Sequence, residues 1–353
     1  MSASREPLLH AAARHVVPFH AALDLGTNNC RMLIGAPQGE GFRVVDSFSR
    51  IVRLGEGLHH SGKLSPAAMD RAIEALACCA NRLQRRPVKS LRAIATEACR
   101  RASNSSEFLS RVERETGLHF NVITAREEAA LVLDSCAPLL GAGTRRALLF
   151  DIGGGSTELV WVRMNEHDHP ELCGYVSLPV GVVTLADRFG SSGFDANGFR
   201  AMVEDVVARL LPFEQVHRIG QEIRQGGVKL LGTSGTVTTL AGIVLALKQY
   251  SRPAVDGLVL SRDAALGALQ DLRAMGRDGL ANHPCVGPDR VDFVLPGCAI
   301  FEAITMLWPA PEVVVADRGL REGLLMRLIR ADRHRSIPRP ALRSGTPDGV
   351  ERG

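Results

Sequence analysis

Two stretches of the chain repeat each other 127 residues apart. Asp24-Leu25-Gly26-Thr27-Asn28-Asn29 and Asp151-Ile152-Gly153-Gly154-Gly155-Ser156 each end an apolar run on an aspartate. Each then places a glycine two residues on and passes through small polar residues into a second apolar run. Two apolar runs joined by a short glycine-containing turn read as a β-hairpin. A period of this length is too long for a solenoid repeat and about right for one domain. The chain is therefore expected to fold as two related lobes, each opening with a hairpin whose turn faces the other lobe.

Such turns aim successive backbone N–H groups into one concavity, which binds anions. Glycine permits close approach, and Thr27, Asn28, Asn29, Ser156 and Thr157 add side-chain hydrogen bonds. Two turns facing each other across a cleft would hold a phosphate chain between Gly153, Gly154 and Gly155 and their counterparts. Asp24 and Asp151 are hard oxygen ligands suited to the Mg²⁺ that accompanies phosphate. Glu158 either completes that site through water or is a structural acid. A third loop, "GTSGT" at 232–236, follows a strand and opens a helix, so Gly235 and Thr236 mark another anion site. Alone, "GTNN" is a common hairpin turn and "GTSGT" an ordinary strand-to-helix connection; the signal is their conjunction with "DIGGGSTEL".

Elsewhere strands and helices alternate, which gives an α/β class. "GFRVVDSFSRIVRL" holds one strand or two. "SPAAMDRAIEALACCANRLQRR" is an amphipathic helix with Ser65 as N-cap and Pro66 in its first position. "EACRRASNSSEFLSRVERETG" is helical with an interruption, "FNVIT" is a strand, and helices are expected near 183–190 and 197–219. Beyond "VKLLGTSGTVTTLAGIVLAL" the chain reads as helical, with "EVVVAD" as a last strand.

No apolar run reaches the length of a membrane span, and residues 1–17 read as a flexible leader and not a signal peptide. The eight cysteines form no C-x-x-C pair and most lie in apolar surroundings, which argues against a disulfide framework or zinc site and for a cytoplasmic protein. The net charge of +4 is all in the C-terminal segment, where from Arg327 onward seven arginines face three acids. This points to a disordered basic tail at 336–353, not to a nucleic-acid-binding body. His59, His60, His167 and His169 lie in polar loops without ligand spacing.

In "VITAREEAALV", Thr124 and Glu127 form a T-x-x-E capping box. Glu128 has no such local partner and, on the residues alone, reads as a solvated first-turn acid favoured by the helix dipole. Arg100 and Arg101 likewise read as a solvated helix face.

The stretches "ALDLGTNNCR", "VRLGEGL", "ATEACRRASN", "ITAREEAALV", "LLFDIGGGSTELV", "LPVGVVTL", "GTSGT", "LPGCAI" and "GLREGLL" together resemble the exopolyphosphatase and guanosine-pentaphosphate phosphohydrolase family of the actin, Hsp70 and sugar-kinase superfamily. The resemblance covers residues 18 to 330. It implies two ribonuclease-H-like lobes with a cleft between them. The first lobe would comprise 18–124 with a returning helix at about 320–335, and the second 125–319. It makes Glu128 the catalytic base or water-orienting group, with Glu127 as the cap, and Arg100 a phosphate contact suited to a guanidinium fork. It further implies Mg²⁺, hydrolysis of the terminal phosphoanhydride of inorganic polyphosphate, and a weak expectation of a homodimer. The alternative substrate is guanosine pentaphosphate (pppGpp). A superfamily kinase, which would need an adenosine pocket near "GTSGT", and a silent polyphosphate or alarmone sensor are further alternatives. Asn29 stands where the family often carries a hydroxyl. Longer members add a helical domain for which no length remains here, so a preference for shorter polyphosphate is expected.

Overall fold

A computed structural model describes residues 18–336 with the exception of 142. The leader and all but the first residue of the basic tail lie outside the described residues. Eleven strands are present among those described: β1 Phe19–Leu25, β2 Asn29–Gln38, β3 Gly41–Ile51, β4 Val88–Ala95, β5 Asn121–Val122, β6 Arg146–Ile152, β7 Thr157–Met164, β8 Pro170–Leu178, β9 Val228–Thr233, β10 Val259–Ser261 and β11 Glu312–Ala316. They form two sheets, ordered β3-β2-β1-β4-β5 and β10-β11-β9-β6-β7-β8.

The internal repeat is a repeat of architecture. β1 runs antiparallel to β2 and parallel to β4. β6 runs antiparallel to β7 and parallel to β9 in the same way. Registers agree to the residue: Asp24 lies opposite Arg31, and Asp151 lies opposite Glu158, each pair 127 residues from its counterpart. The central strands are apolar almost throughout because both of their faces are covered. The edge strand β8 alternates between exposed and half-buried residues.

Local chemistry sets the helices. Ser65 Oγ accepts the Ala68 N–H at 3.2 Å, and the Pro66–Gln84 helix then buries Met69, Ala72, Ile73, Leu76 and Cys79 on one face. They join Leu23, Leu25 and Met32 in the core under the first sheet. Over the second sheet the core is larger and more aromatic, with Phe150, Phe301 and Trp308. The Leu320–Ser336 helix returns to the first sheet, where Leu325 and Ile329 pack on Leu33. A Cβ at Gly35 would come within 2.5 Å of Leu325, so glycine there lets the helix lie close to β2.

"GFRVVDSFSRI" is a single strand, and "FNVIT" contributes only Asn121–Val122 to a sheet. β10 lies in a stretch expected to be helical. Its three residues are too few for a period to show, and what defines them is antiparallel pairing with β11, Val259 opposite Val314. All eight cysteines are free. No described helix is long and apolar enough to cross a membrane.

Candidate active site

The two hairpin turns are built alike. Gly26 N–H donates to Asn29 O at 2.9 Å, and Gly153 N–H donates to Ser156 O at 2.9 Å. Among the described residues, the N–H groups of Thr27, Asn28, Gly154, Gly155 and Ser156 have no protein acceptor. The turns touch. A Cβ on Gly154 would stand 3.0 Å from Asn28 N, and one on Gly155 would overlap Thr27 Oγ1 and lie 3.1 Å from Thr27 Cβ. Glycine is thus required by the approach of the opposite turn. Gly181 has a related role: its missing side chain lets the chain lie on Gly153 and Gly154, where a Cβ would meet Gly154 C at 2.5 Å.

Around this contact opens a cavity of about 470 Å³ lined by Asp24, Thr27, Asn28, Asn29, Glu128, Asp151, the Gly153–Gly154–Gly155 turn, Ser156, Glu158, Gly235 and Thr236. The third loop is partly engaged with itself, because Ser234 Oγ accepts the N–H groups of Thr236 and Val237 at 3.2 and 3.4 Å. Ser234 holds φ 138° and ψ 169°, a conformation costly for anything but glycine. Two candidates do not line the cavity. Thr157 Oγ1 is turned to Val180 O at 2.7 Å. Arg100 stands behind Glu128, its fork engaged by Glu97 and Glu128.

Glu128 is 5% exposed, and its Oε2 accepts from Arg100 Nη1 at 2.6 Å. Arg100 Nη1 also donates to Ile123 O at 3.1 Å, which fixes the guanidinium against the start of the Ala125–Cys136 helix. Burial, then the Glu158 charge, raises the Glu128 carboxyl well above its ordinary value, with Arg100 opposing. Burial, reinforced by Glu128, pushes Asp151 up to about 7. Burial and Asp151 push Glu158 up to about 7. Asp24 is raised by burial too, against the pull of Arg31 and Arg321. Four carboxylates thus line one cleft, and burial with their mutual repulsion favours their protonated forms.

The capping box forms only in half. Thr124 Oγ1 accepts the Glu127 N–H at 3.2 Å, but the Glu127 carboxylate pairs with Arg92 on β4 and does not turn back to Thr124. An ion pair with a half-buried guanidinium outcompetes one exposed backbone donor.

Among the described residues, no three acidic, histidine or cysteine side chains converge as a ready-made metal cage. Magnesium does not require one, since it keeps several waters and takes one or two carboxylates plus substrate phosphate. Asp24 Oδ1 is buried without a hydrogen-bond partner, so Asp24 and Asp151, with Glu158 nearby, fit such a hydrated ion.

The sequence reasoning missed Arg31, Arg290 and Arg321, which also line the cavity. Burial lowers the Arg290 and Arg321 guanidiniums, and Arg31 repels both. Arg31 ends the stretch "ALDLGTNNCR" and Arg321 lies in "GLREGLL", both among the runs that carry the family resemblance, but no local pattern gives any of the three a role.

Residues 34–331 match the Ppx/GppA phosphatase family. The chain belongs to this family. One similar relative is the guanosine-5′-triphosphate,3′-diphosphate pyrophosphatase of Aeromonas hydrophila, 32% identical over 319 residues, covering 89% of this chain and 60% of that protein. The chain thus spans about 60% of the length of the curated relatives it matches. Among solved structures, the Ppx/GppA family member of Aquifex aeolicus is 25% identical with TM-score 0.72, covering 90% of this chain and 99% of that one. An exopolyphosphatase-like protein is 26% identical with TM-score 0.78, covering 88% and 97%. The Ppx/GppA fold of two α/β lobes is the one seen here.

Proposed function

We propose that this Ppx/GppA protein hydrolyses the terminal 5′ phosphoanhydride of guanosine pentaphosphate, leaving guanosine tetraphosphate and orthophosphate. The observation that carries this reading is Glu128, a buried carboxylate fixed by Arg100 in a cavity lined by two turns of unengaged N–H groups. The name of the Aeromonas relative supports this substrate over inorganic polyphosphate. Polyphosphate hydrolysis is the second reading, supported by the likeness to an exopolyphosphatase-like structure. We propose the domain limits expected from the sequence: 18–124 with the returning helix at about 320–335 as the first lobe, 125–319 as the second.

In this scheme the N–H groups of Thr27, Asn28, Gly154, Gly155 and Ser156 hold the terminal phosphate oxygens, and Gly235 and Thr236 border the rest of the substrate. Asp24 and Asp151 would hold a magnesium ion, with Glu158 reaching it through water, and the ion supplies neutralisation of phosphate charge. Glu128 accepts a proton from water as the water oxygen bonds to the terminal phosphorus. The bond to the bridging oxygen breaks and the shortened nucleotide leaves with its electron pair. Arg100 acts through Glu128: its charge and hydrogen bond favour the ionised carboxylate, against the upward push of burial and of Glu158. Most of the acceleration comes from positioning and fixed charge. Parallel phosphate-release assays on guanosine pentaphosphate and polyphosphate, with wild type and Glu128→Gln, test the proposal. Equal release by Glu128→Gln would end the assignment, and release from polyphosphate alone would favour the second reading.

A further inference from the structure

The arginines around the cleft are mostly engaged. Arg100 is held by Glu97 and Glu128. Arg290 donates to Thr239 Oγ1 at 2.6 Å and to Cys285 O at 2.5 Å. Arg318, which also lines the cavity, donates to Asp256 Oδ2 at 3.0 Å. Arg31, on the first hairpin, and Arg321, from the far end of the chain, are not so tied. Arg321 lines the cavity with a side chain only 19% exposed, yet among the described residues its guanidinium makes no hydrogen bond. The acid within ion-pair distance, Glu322, stands 3.9 Å away, beyond hydrogen-bonding range. That carboxylate is already engaged: Oε1 accepts from Arg252 Nη2 at 3.2 Å, and Oε2 accepts the Gly319 N–H at 2.9 Å. A mostly buried guanidinium fork is thus left without an acceptor, a condition native structures rarely tolerate.

The backbone of Arg321 is fixed relative to that of Glu128. Arg321 lies in the first turn of the Leu320–Ser336 helix, which packs against the Ala125–Cys136 helix that carries Glu128. Leu320 and Leu324 share a core with Ala129 and Val132. A Cβ at Gly323 would overlap Leu131 O and lie 3.0 Å from Leu131 C, so the two helices touch backbone to backbone. Further along, Arg327 Nε donates to Asp134 Oδ2. The helices cannot part without losing these contacts. We propose that Arg321 is a catalytic residue, donating to the non-bridging oxygens of the phosphoryl group attacked by the water that Glu128 holds. It would thereby make the phosphate contact expected of Arg100. The inference rests on reading the cleft as a phosphoanhydride hydrolase site. Arg321 exchanges no proton; the bonds formed and broken are those of the water's attack. Its planar fork matches two phosphate oxygens and strengthens as charge builds on them in the transition state.

The test uses the full chain with Arg321→Ala and Arg321→Lys, on whichever of guanosine pentaphosphate and polyphosphate the wild type hydrolyses. Removing one preorganised donor costs about 10²–10³ in kcat, so a fall of that size is expected for Arg321→Ala, with the thermal midpoint close to that of wild type. Arg321→Lys keeps the charge without the fork and should fall between the two. Millimolar guanidinium should restore part of the kcat of Arg321→Ala and none of that of Glu128→Gln, a recovery that a merely structural arginine would not give. An unchanged kcat in Arg321→Ala, or a fall that guanidinium does not relieve, overturns the assignment. If the wild type hydrolyses neither substrate, the functional reading fails, and calorimetry with inorganic tripolyphosphate tests Arg321 by itself. Loss of hydrogen bonds to a charged group then predicts binding roughly ten- to hundredfold weaker in Arg321→Ala. Equal affinity in the variant, or no binding by the wild type, overturns the role of Arg321.

Discussion

Gly155→Ala is the substitution most directly worked from the geometry. The added methyl would overlap Thr27 Oγ1 and sit 3.1 Å from two Thr27 carbons. Relief requires the turns to part by about 1 Å, since ordinary carbon contacts lie near 3.5–4.0 Å. A phosphate oxygen held at about 2.9 Å by both turns would then be near 3.9 Å from one of them, outside hydrogen-bonding range. Hydrogen bonds to charged groups contribute about 1.5–3 kcal/mol each, so losing one raises KM roughly ten- to hundredfold. The lobes absorb the strain by opening, so the thermal midpoint should move little. Continuous phosphate-release kinetics on Gly155→Ala, Thr27→Ala and the double variant give the cycle. Truncating Thr27 removes the overlap with Oγ1 and the close Cγ2 and leaves only the Cβ contact, so the double variant should lose less than the sum of the singles, by about 1 kcal/mol. Strict additivity, or an unchanged KM in Gly155→Ala, would refute the reasoning.

Other outcomes follow from the same site. Glu128→Gln should lower kcat by about 10²–10⁴, the usual contribution of general-base catalysis, while calorimetric binding of guanosine pentaphosphate persists. Arg100→Gln removes a charge that lowers the Glu128 carboxyl, so the acid limb of the kcat/KM profile should move to higher pH. Asp151 titrates near 7 when folded and near 3.8 otherwise. The native state therefore holds the extra proton between those values, and its stability falls as pH rises through that window. Thermal midpoints of wild type should decline more steeply from pH 4 to 7 than those of Asp151→Asn, and millimolar Mg²⁺ should reduce the difference. Identical slopes would refute the raised Asp151 carboxyl, and a difference that Mg²⁺ leaves unchanged would count against the cation site.

The features legible in the sequence are those whose cause is local. A glycine turn after a strand that ends in aspartate is written in consecutive residues, and doing it twice at one spacing announced two lobes with their facing turns. Ser65 and Thr124 cap helices as neighbouring residues dictate. Glu128 was different, since nothing within four residues distinguishes it from a surface acid. Its partner Arg100 and the Glu158 charge that acts on it come from 28 and thirty residues away in sequence. Arg31, Arg290 and Arg321 escaped notice for the same reason, because they meet only when three distant segments converge on one cavity. The Glu127 carboxylate was misassigned because β4 brings Arg92 to it across a gap of 35 residues.

The duplicated hairpins match in backbone but not in charge. Where the first lobe sets Arg31 opposite its aspartate, the second sets Glu158. Under the proposed function, two equivalent turns would give a bound phosphate chain the same surroundings on either side. A guanidinium opposite one aspartate and a carboxylate opposite the other make those surroundings unequal, so the protein itself would fix which way round the phosphates lie.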